Sequence, residues 1–436
     1  MDLQLFGEIE TESGRAEVML CRDADLESQS MLHWWLPNGS GGALLCRVGR
    51  ANPETVTLAP ERLFRANQRG ELTIVSPDAP EAREAMGYSA TLRADRNSFA
   101  GEWVHRSGQR GRIRFETSGE ERRVKATTCE SWADFKRWAA NARQESGAAL
   151  YRGHGDSRFR LKTTLHRAGR HRLERYCSNT LVEFRSHAEA VLGMQIDTSD
   201  PDTYSVLLGL AQHHGLPTPL LDWTRSPYIA AFFAFTDALD ATQIRPDATH
   251  ARVYALARGF VETYSPPVVM LPYFRPYLAC LAVSARHNPR LYAQQGQFLV
   301  TNVANVEQFI VAIESASHRQ LLTAVDVPIH CAVEALEDLA FMGLTAATMF
   351  PGLDGICRMM KHAMSFKAQS LPKSGRPVET RPDREKTEAP IDPPGDGMPL
   401  EAARGPVPPT KSSPRGALQD PPKKSGTGRG RGRGKP

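Results

Sequence analysis

Gln212, His213, His214, Asp222 and Trp223 crowd around the turn Gly215-Leu216-Pro217-Thr218 inside an otherwise apolar frame. Polar side chains among apolar ones cost stability unless they find partners, so the grouping marks a candidate pocket. Tyr151-Arg152-Gly153 is its nearest companion: an apolar strand ends on an arginine whose planar fork of donors suits a phosphate, ribose or carboxylate. The competing reading of Arg152 is an ion pair with a carboxylate of its own domain. His213 and His214 are adjacent on a helix, so their side chains diverge by about 100° and cannot serve one centre. One is expected to face the turn and Asp222, the other to pack or meet solvent. A metal site would need histidines at i and i+4 or a matching carboxylate, and no HExxH occurs, so no metal is expected.

Asp222 follows two leucines and is expected to be buried, which requires a cation or donors beside it. Arg152, a histidine or Arg225 could supply them, and the same network would equally serve to lock the fold. Gln295, Gly296, Gln297 and Phe298 form a second polar patch at the start of a strand. A glutamine there can orient a ligand but cannot act as a general base. Phe350-Pro351-Gly352-Leu353-Asp354 reads as a strand-to-helix turn used for packing. The chain carries no GxxxxGK[ST] loop, no GxGxxG after a strand and no GxSxG elbow. P-loop NTPases, Rossmann oxidoreductases and α/β-hydrolases are therefore disfavoured.

The elements that must position these residues fall into an α+β arrangement. Residues 1–120 predict a small all-β domain, a sandwich or barrel, from short apolar stretches at 17–20, 33–36, 43–48, 72–75 and 111–115 broken by Asn38-Gly39, Gly41-Gly42 and Pro77-Asp78. Trp34, Trp35 and Trp103 read there as core or rim aromatics before they read as a ligand platform. A mixed domain is expected over 128–365. Ser131 with Asp134 predicts a capping box, followed by Trp132, Phe135, Trp138 and Ala142 at helical spacing. Residues 148–151 predict a strand, 174–192 a helix, and Tyr204, Leu207, Leu208 and Ala211 another helix face that Gly215 caps. Ser226 and Pro227 predict the start of a helix so apolar that it must be buried. Later strands are expected at 252–257, 297–301 and 346–350, with helices at 333–342 and 353–364.

The formal net charge of +5 is unevenly placed. From residue 366 onward, 71 residues hold 15 Lys/Arg against 8 Asp/Glu, while the part before them sums to −2. That tail, with 14 Pro and 10 Gly, has too little apolar surface to offset the entropy of ordering and is expected to be disordered. Arg429, Arg431 and Arg433 between glycines could make weak, salt-sensitive nucleic-acid contacts, or the tail could be a solubilising segment without a partner. Seven scattered cysteines without CxxC spacing predict reduced thiols. No apolar run of about 18 residues and no secretory signal at the start predict a cytoplasmic protein without membrane contact.

Tyr151-Arg152-Gly153, the stretch from Gln212 to Thr218, and Leu220-Leu221-Asp222-Trp223-Thr224 together resemble the FRG domain, named for its Phe/Tyr-Arg-Gly motif. The resemblance extends through Gln295-Gly296-Gln297-Phe298 to the turn at Phe350. It implies a bacterial or phage protein of poorly defined biochemistry, used in defence or stress. The order of motifs is also similar to that of arginine-type ADP-ribosyltransferases. That second resemblance implies NAD as cofactor, held by Arg152, with Thr224 and Ser226 supporting the site. It places Gln297 where the family carries a glutamate, a departure that removes a charge from beside the developing ribosyl cation. Two classes follow: a nucleotide-handling enzyme with Tyr151, Arg152, Gly153, Gln212, Thr224, Ser226 and Gln295 binding NAD and Asp222, His213, His214 and Gln297 at the reacting ribose, or a non-enzymatic module recognising a nucleotide or protein.

Overall fold

The computed structural model describes residues 3–370 except 12–13, 53, 96–97, 117–121, 145–146, 241–243, 269, 282 and 284–288. The last helix carries the chain through Ser370, so the first five residues of the expected disordered tail are helical; the rest of the tail, with Arg429, Arg431 and Arg433, lies outside the described residues. Among these residues sixteen strands form two sheets.

The first sheet contains β1 (Gln4–Thr11), β2 (Gly14–Asp23), β3 (Leu26–Trp35), β4 (Gly41–Asn52), β5 (Thr55–Ala66), β6 (Leu72–Ile74), β7 (Tyr88–Asp95), β8 (Ser98–His105) and β9 (Arg110–Glu116). Its order is β4-β3-β2-β1-β9-β8-β7-β5-β6, and β4 also pairs with β5 along most of its length. That pairing closes an eight-stranded antiparallel barrel, with β6 added outside. Of the two architectures the turn spacing allowed, the barrel is the one formed.

The barrel strands explain their own sequence. Side chains alternate across a strand, and 18–21 is buried without a break, which requires cover on both faces. Val18 and Leu20 point into the barrel with Leu32, Leu58 and Ile113. Met19 and Cys21, with Met31, Ala43 and Phe64, point outward into a core shared with Leu207, Leu208, Tyr277 and Val300 of the rest of the chain. Charged and polar links tie the same face: Asp23 accepts from the His171 and Arg172 amides at 2.7 and 3.0 Å, and Gln4 donates to the Asn302 carbonyl at 2.7 Å.

The second sheet contains β10 (Ala126–Thr128), β11 (Ala148–His154), β12 (Leu220–Thr224), β13 (His250–Ala257), β14 (Leu278–Leu281), β15 (Gly296–Thr301) and β16 (Leu322–Pro328), in the order β10-β16-β13-β11-β12-β15-β14. All neighbours are antiparallel except β10 with β16. The helices are α1 (Pro80–Ala85), α2 (Trp132–Gln144), α3 (Thr164–Arg167), α4 (Leu173–Arg175), α5 (Leu181–Leu192), α6 (Pro201–His213), α7 (Pro227–Asp240), α8 (Arg258–Thr263), α9 (Pro289–Ala293), α10 (Val306–Ser317), α11 (Ala332–Phe341), α12 (Ala346–Met349) and α13 (Leu353–Ser370). None of the helices among the described residues is long and apolar enough to cross a membrane.

Helices α2, α7 and α11 cover one face of the β11-β13-β16 half through Trp132, Phe135, Phe235, Leu336 and Leu339. The predicted capping box is realised, with the Asp134 amide donating to Ser131 Oγ at 3.2 Å and the Ser131 amide to Asp134 Oδ2 at 3.0 Å. The apolar helix α7 is buried as expected. The expected helix over 174–192 is interrupted by a π-turn at Tyr176–Thr180. Among the expected elements one is overturned outright: 346–350 is not a strand but carries α12, because Thr345 and Thr348 form a reciprocal capping box that starts a helical turn. The Phe350 turn therefore joins two helices.

Candidate functional site

The second sheet has a seam. β11 and β12 are neighbours, yet Tyr151 opposite Thr224 is their single paired position, whereas β12 runs five positions against β15. A cleft of about 720 Å³ opens over this seam. Strands supply Tyr151 to His154, Asp222 to Thr224 and Gly296 to Phe298; α7 supplies Ala230, Phe233 and Asp237; the end of α6 supplies Gln212 and His213.

Gly153 lets this happen. A Cβ there would stand 1.9 Å from the Ala230 carbonyl oxygen and 3.0 Å from the Ala234 Cβ. Only glycine allows α7 to lie this close to β11, so the residue serves close helix–strand approach and not a change of chain direction. Tyr151 is a core residue whose ring sits among the α2 and α7 aromatics.

Arg152 crosses the seam. Its Nη1 donates to the Asp222 backbone carbonyl and lies 3.8 Å from Asp222 Oδ2, and its Nε lies 3.1 Å from His154 Nε2. Burial lowers the guanidinium's pKa against the pull of Asp222. Burial, reinforced by the Arg152 cation, holds His154 well below its usual value, so the imidazole is neutral and accepts from Arg152. Asp222 is not buried as its sequence context suggested: its side chain is 55% exposed, because position 222 points out of the sheet into the cleft while Leu221 and Trp223 on either side are buried. Its partner is Gln212, whose amide donates to Oδ2 at 2.7 Å and is itself fixed by the Thr218 hydroxyl.

His213 lines the cleft, and burial, then Arg290, lower its pKa. His214 is exposed and caps α6, yet its ring stays 4.9 Å from that of His213 instead of diverging fully. Thr224 and Ser226 are architectural: the Thr224 hydroxyl donates to the Gln294 carbonyl at 2.7 Å, and Ser226 Oγ accepts from the Ile229 amide at the start of α7. Gln297 lines the cleft with its amide tied to the Leu281 carbonyl at 2.8 Å. Gln295 is exposed with φ of 47° and faces a different hollow; Gln294 takes the cleft position, anchored to the Met349 carbonyl at 3.0 Å.

Several cleft residues were not anticipated. Arg160, Lys162 and Arg167 come from the connection after β11, and Arg290 from α9. With Arg152 they set five cations against Asp222 and Asp237 among the described lining residues. The alternation Arg158-Phe159-Arg160-Leu161-Lys162 carried the signal, since every second residue is basic. Phe159, Phe233 and Phe350 add aromatic surface, with Arg290 stacked 5.5 Å from the Phe350 ring centre. The arrangement suits a ligand that combines anionic groups with a flat ring.

Residues 147–243 match the FRG domain. The FRG segment thus begins at β11 and ends beyond α7, taking in Arg152, Gln212, His213 and Asp222 but not the 294–298 patch or Phe350. Gly153, the last residue of its motif, is the one that brings α7 onto β11. No curated protein matches the chain.

Proposed function

We propose that the cleft binds a phosphorylated nucleotide, with NAD as the candidate, and cleaves its nicotinamide–ribose bond in the manner of an ADP-ribosyltransferase. The observation that carries the reading is Arg152 and Asp222 facing each other across the seam, inside a cleft with three more cations than carboxylates among its described lining residues. The cations offer the diphosphate charge-assisted donors, and the phenylalanines offer stacking surface to a base. A volume of about 720 Å³ falls within the range of small-molecule sites.

In the proposed step the ribose C1′–nitrogen bond breaks and its electron pair leaves with neutral nicotinamide. The oxocarbenium ion left behind faces the Asp222 carboxylate and is captured by water, or by a nucleophile on a target, with loss of a proton. Gln212 holds the carboxylate in place. The tethered, uncharged Gln297 does not contribute charge, and this favours a second reading in which the cleft recognises a nucleotide without turnover.

The test is incubation of the full chain with NAD, following nicotinamide release and, separately, NAD binding by calorimetry, for wild type, Arg152→Ala and Asp222→Asn. The expected result is release by wild type only, weakened binding in Arg152→Ala, and retained binding without release in Asp222→Asn, all with unchanged melting. Binding without release by wild type selects the recognition module. Absence of binding refutes both.

A further inference from the structure

The barrel has an unfilled end. In eight-stranded barrels side chains usually just fill the interior, or leave room for one small ligand. Here the end where β1 begins is packed solid by Leu5, Leu20, Leu92, Phe99 and Phe115. Toward the other end, where β1, β3, β5 and β8 finish, a cavity of about 440 Å³ remains. Its floor is aliphatic, from Val18, Leu32, Leu58 and Ile113. Its walls carry Trp34, Tyr88 and Trp103, and the last two meet edge to face at 5.5 Å. The indole N–H of Trp103 is already satisfied by the Glu10 carbonyl at 2.8 Å, so the ring presents carbon to the space. Small residues, Cys46, Ala85 and Ala90, stand where larger ones would fill it.

Helix α1 roofs this end, with Glu81, Glu84 and Ala85 over the cavity. The roof is fastened at its rim by ion pairs of Glu81 with Arg65 and of Glu84 with Arg106 at 3.2 Å, and by a contact of Glu84 with His105 Nε2 at 3.1 Å. Glu84 and Arg106 are more than half exposed, and pairs of that kind contribute about 0–1 kcal/mol each. These exposed pairs add little to the roof's hold, which rests on the buried Ala82 and Ala85.

We propose that the barrel is a second binding site, independent of the cleft, for an uncharged aromatic molecule of two or three rings. Size follows from the volume, since an apolar cavity of about 150 Å³ accommodates benzene and this one is nearly three times larger. Neutrality follows from the lining: the carboxylates at the mouth already have cationic partners, and the interior offers no charge to a buried ion.

The test uses N-phenyl-1-naphthylamine, an uncharged three-ring fluorophore, titrated into the full chain with tryptophan excitation. The expected result is saturable one-to-one binding with energy transfer from tryptophan, unaffected by Arg152→Ala. Ala90→Phe fills the cavity from β7 and Ala85→Phe from the lid; each should weaken binding at least tenfold. Circular dichroism and melting identify which of the two is folded, and a folded variant that binds as wild type overturns the proposal. Absence of saturable binding, or binding lost in Arg152→Ala, overturns it as well.

Discussion

Gly153→Ala tests the geometry on which the cleft rests. The added Cβ would lie 1.9 Å from the Ala230 oxygen, a backbone atom that cannot swing aside as a side-chain end can. Restoring ordinary contact requires α7 to withdraw by more than about 1 Å from β11. That helix contributes Ile229, Ala230, Phe232, Ala234 and Phe235 to the largest core of the second sheet, so its withdrawal loosens many contacts at once. Overpacking of a well-filled core costs roughly 1–3 kcal/mol and occasionally more, and with backbone as the obstacle the upper end applies, about 3 kcal/mol. For a compact unit spanning Met1–Pro372, whose unfolding entropy is about 2.1 cal/mol/K per residue, that corresponds to a fall in Tm of roughly 4 °C. Gly259→Ala is the matched control, because its Cβ meets nothing within 4 Å on α8, and alanine in a helix should leave stability unchanged or raise it by up to about 1 kcal/mol. Thermal melting by circular dichroism reads both. If Gly153→Ala melts within about 2 °C of wild type, the packing account of the motif glycine is wrong.

Two further outcomes are expected. Burial pushes His33 and His171, both at the contact between the barrel and the rest of the chain, down to about 4. Because their folded pKa values lie below the unfolded value of about 6.5, the stability they contribute is present above that pH and is lost as pH falls from 6.5 toward 4, roughly 3 kcal/mol each. Urea midpoints measured across that window should fall for wild type and fall less for His33→Gln; equal slopes would refute the assignment. Arg290→Glu reverses one cleft cation that faces Phe350 without changing the sheet. It should weaken NAD binding at least tenfold at low salt, and by less at high salt, in calorimetric titrations; unchanged affinity would remove Arg290 from the ligand's reach.

The sequence made legible those features that depend on local pattern. The Ser131–Asp134 box, the buried α7 and the face of α6 all follow from short-range spacing, and each is present. What stayed hidden depends on the neighbours of a residue in space. Asp222 reads as buried between leucines and tryptophan, but period-two alternation sends it outward alone. Residues 346–350 look strand-like until the threonine pair is seen to close a capping box. Arg167 and Arg290 are unremarkable surface cations by sequence, the basic alternation over 158–162 does not say which way it faces, and only the fold gathers these cations with Arg152. Gln295 and Gln294 differ by one position, and the left-handed backbone at 295 decides which of them looks into the cleft.

The outward face of the barrel has a consequence for how such chains can be assembled. Met19, Met31 and Phe64 share one hydrophobic core with Leu207, Tyr277 and Val300. A protein that carried the second sheet alone would have to repaint that surface with soluble side chains, and one that exchanged the barrel for another module would need a replacement greasy on the same strands. The two halves are thus matched pieces, and their partnership is written into residues distant from either pocket.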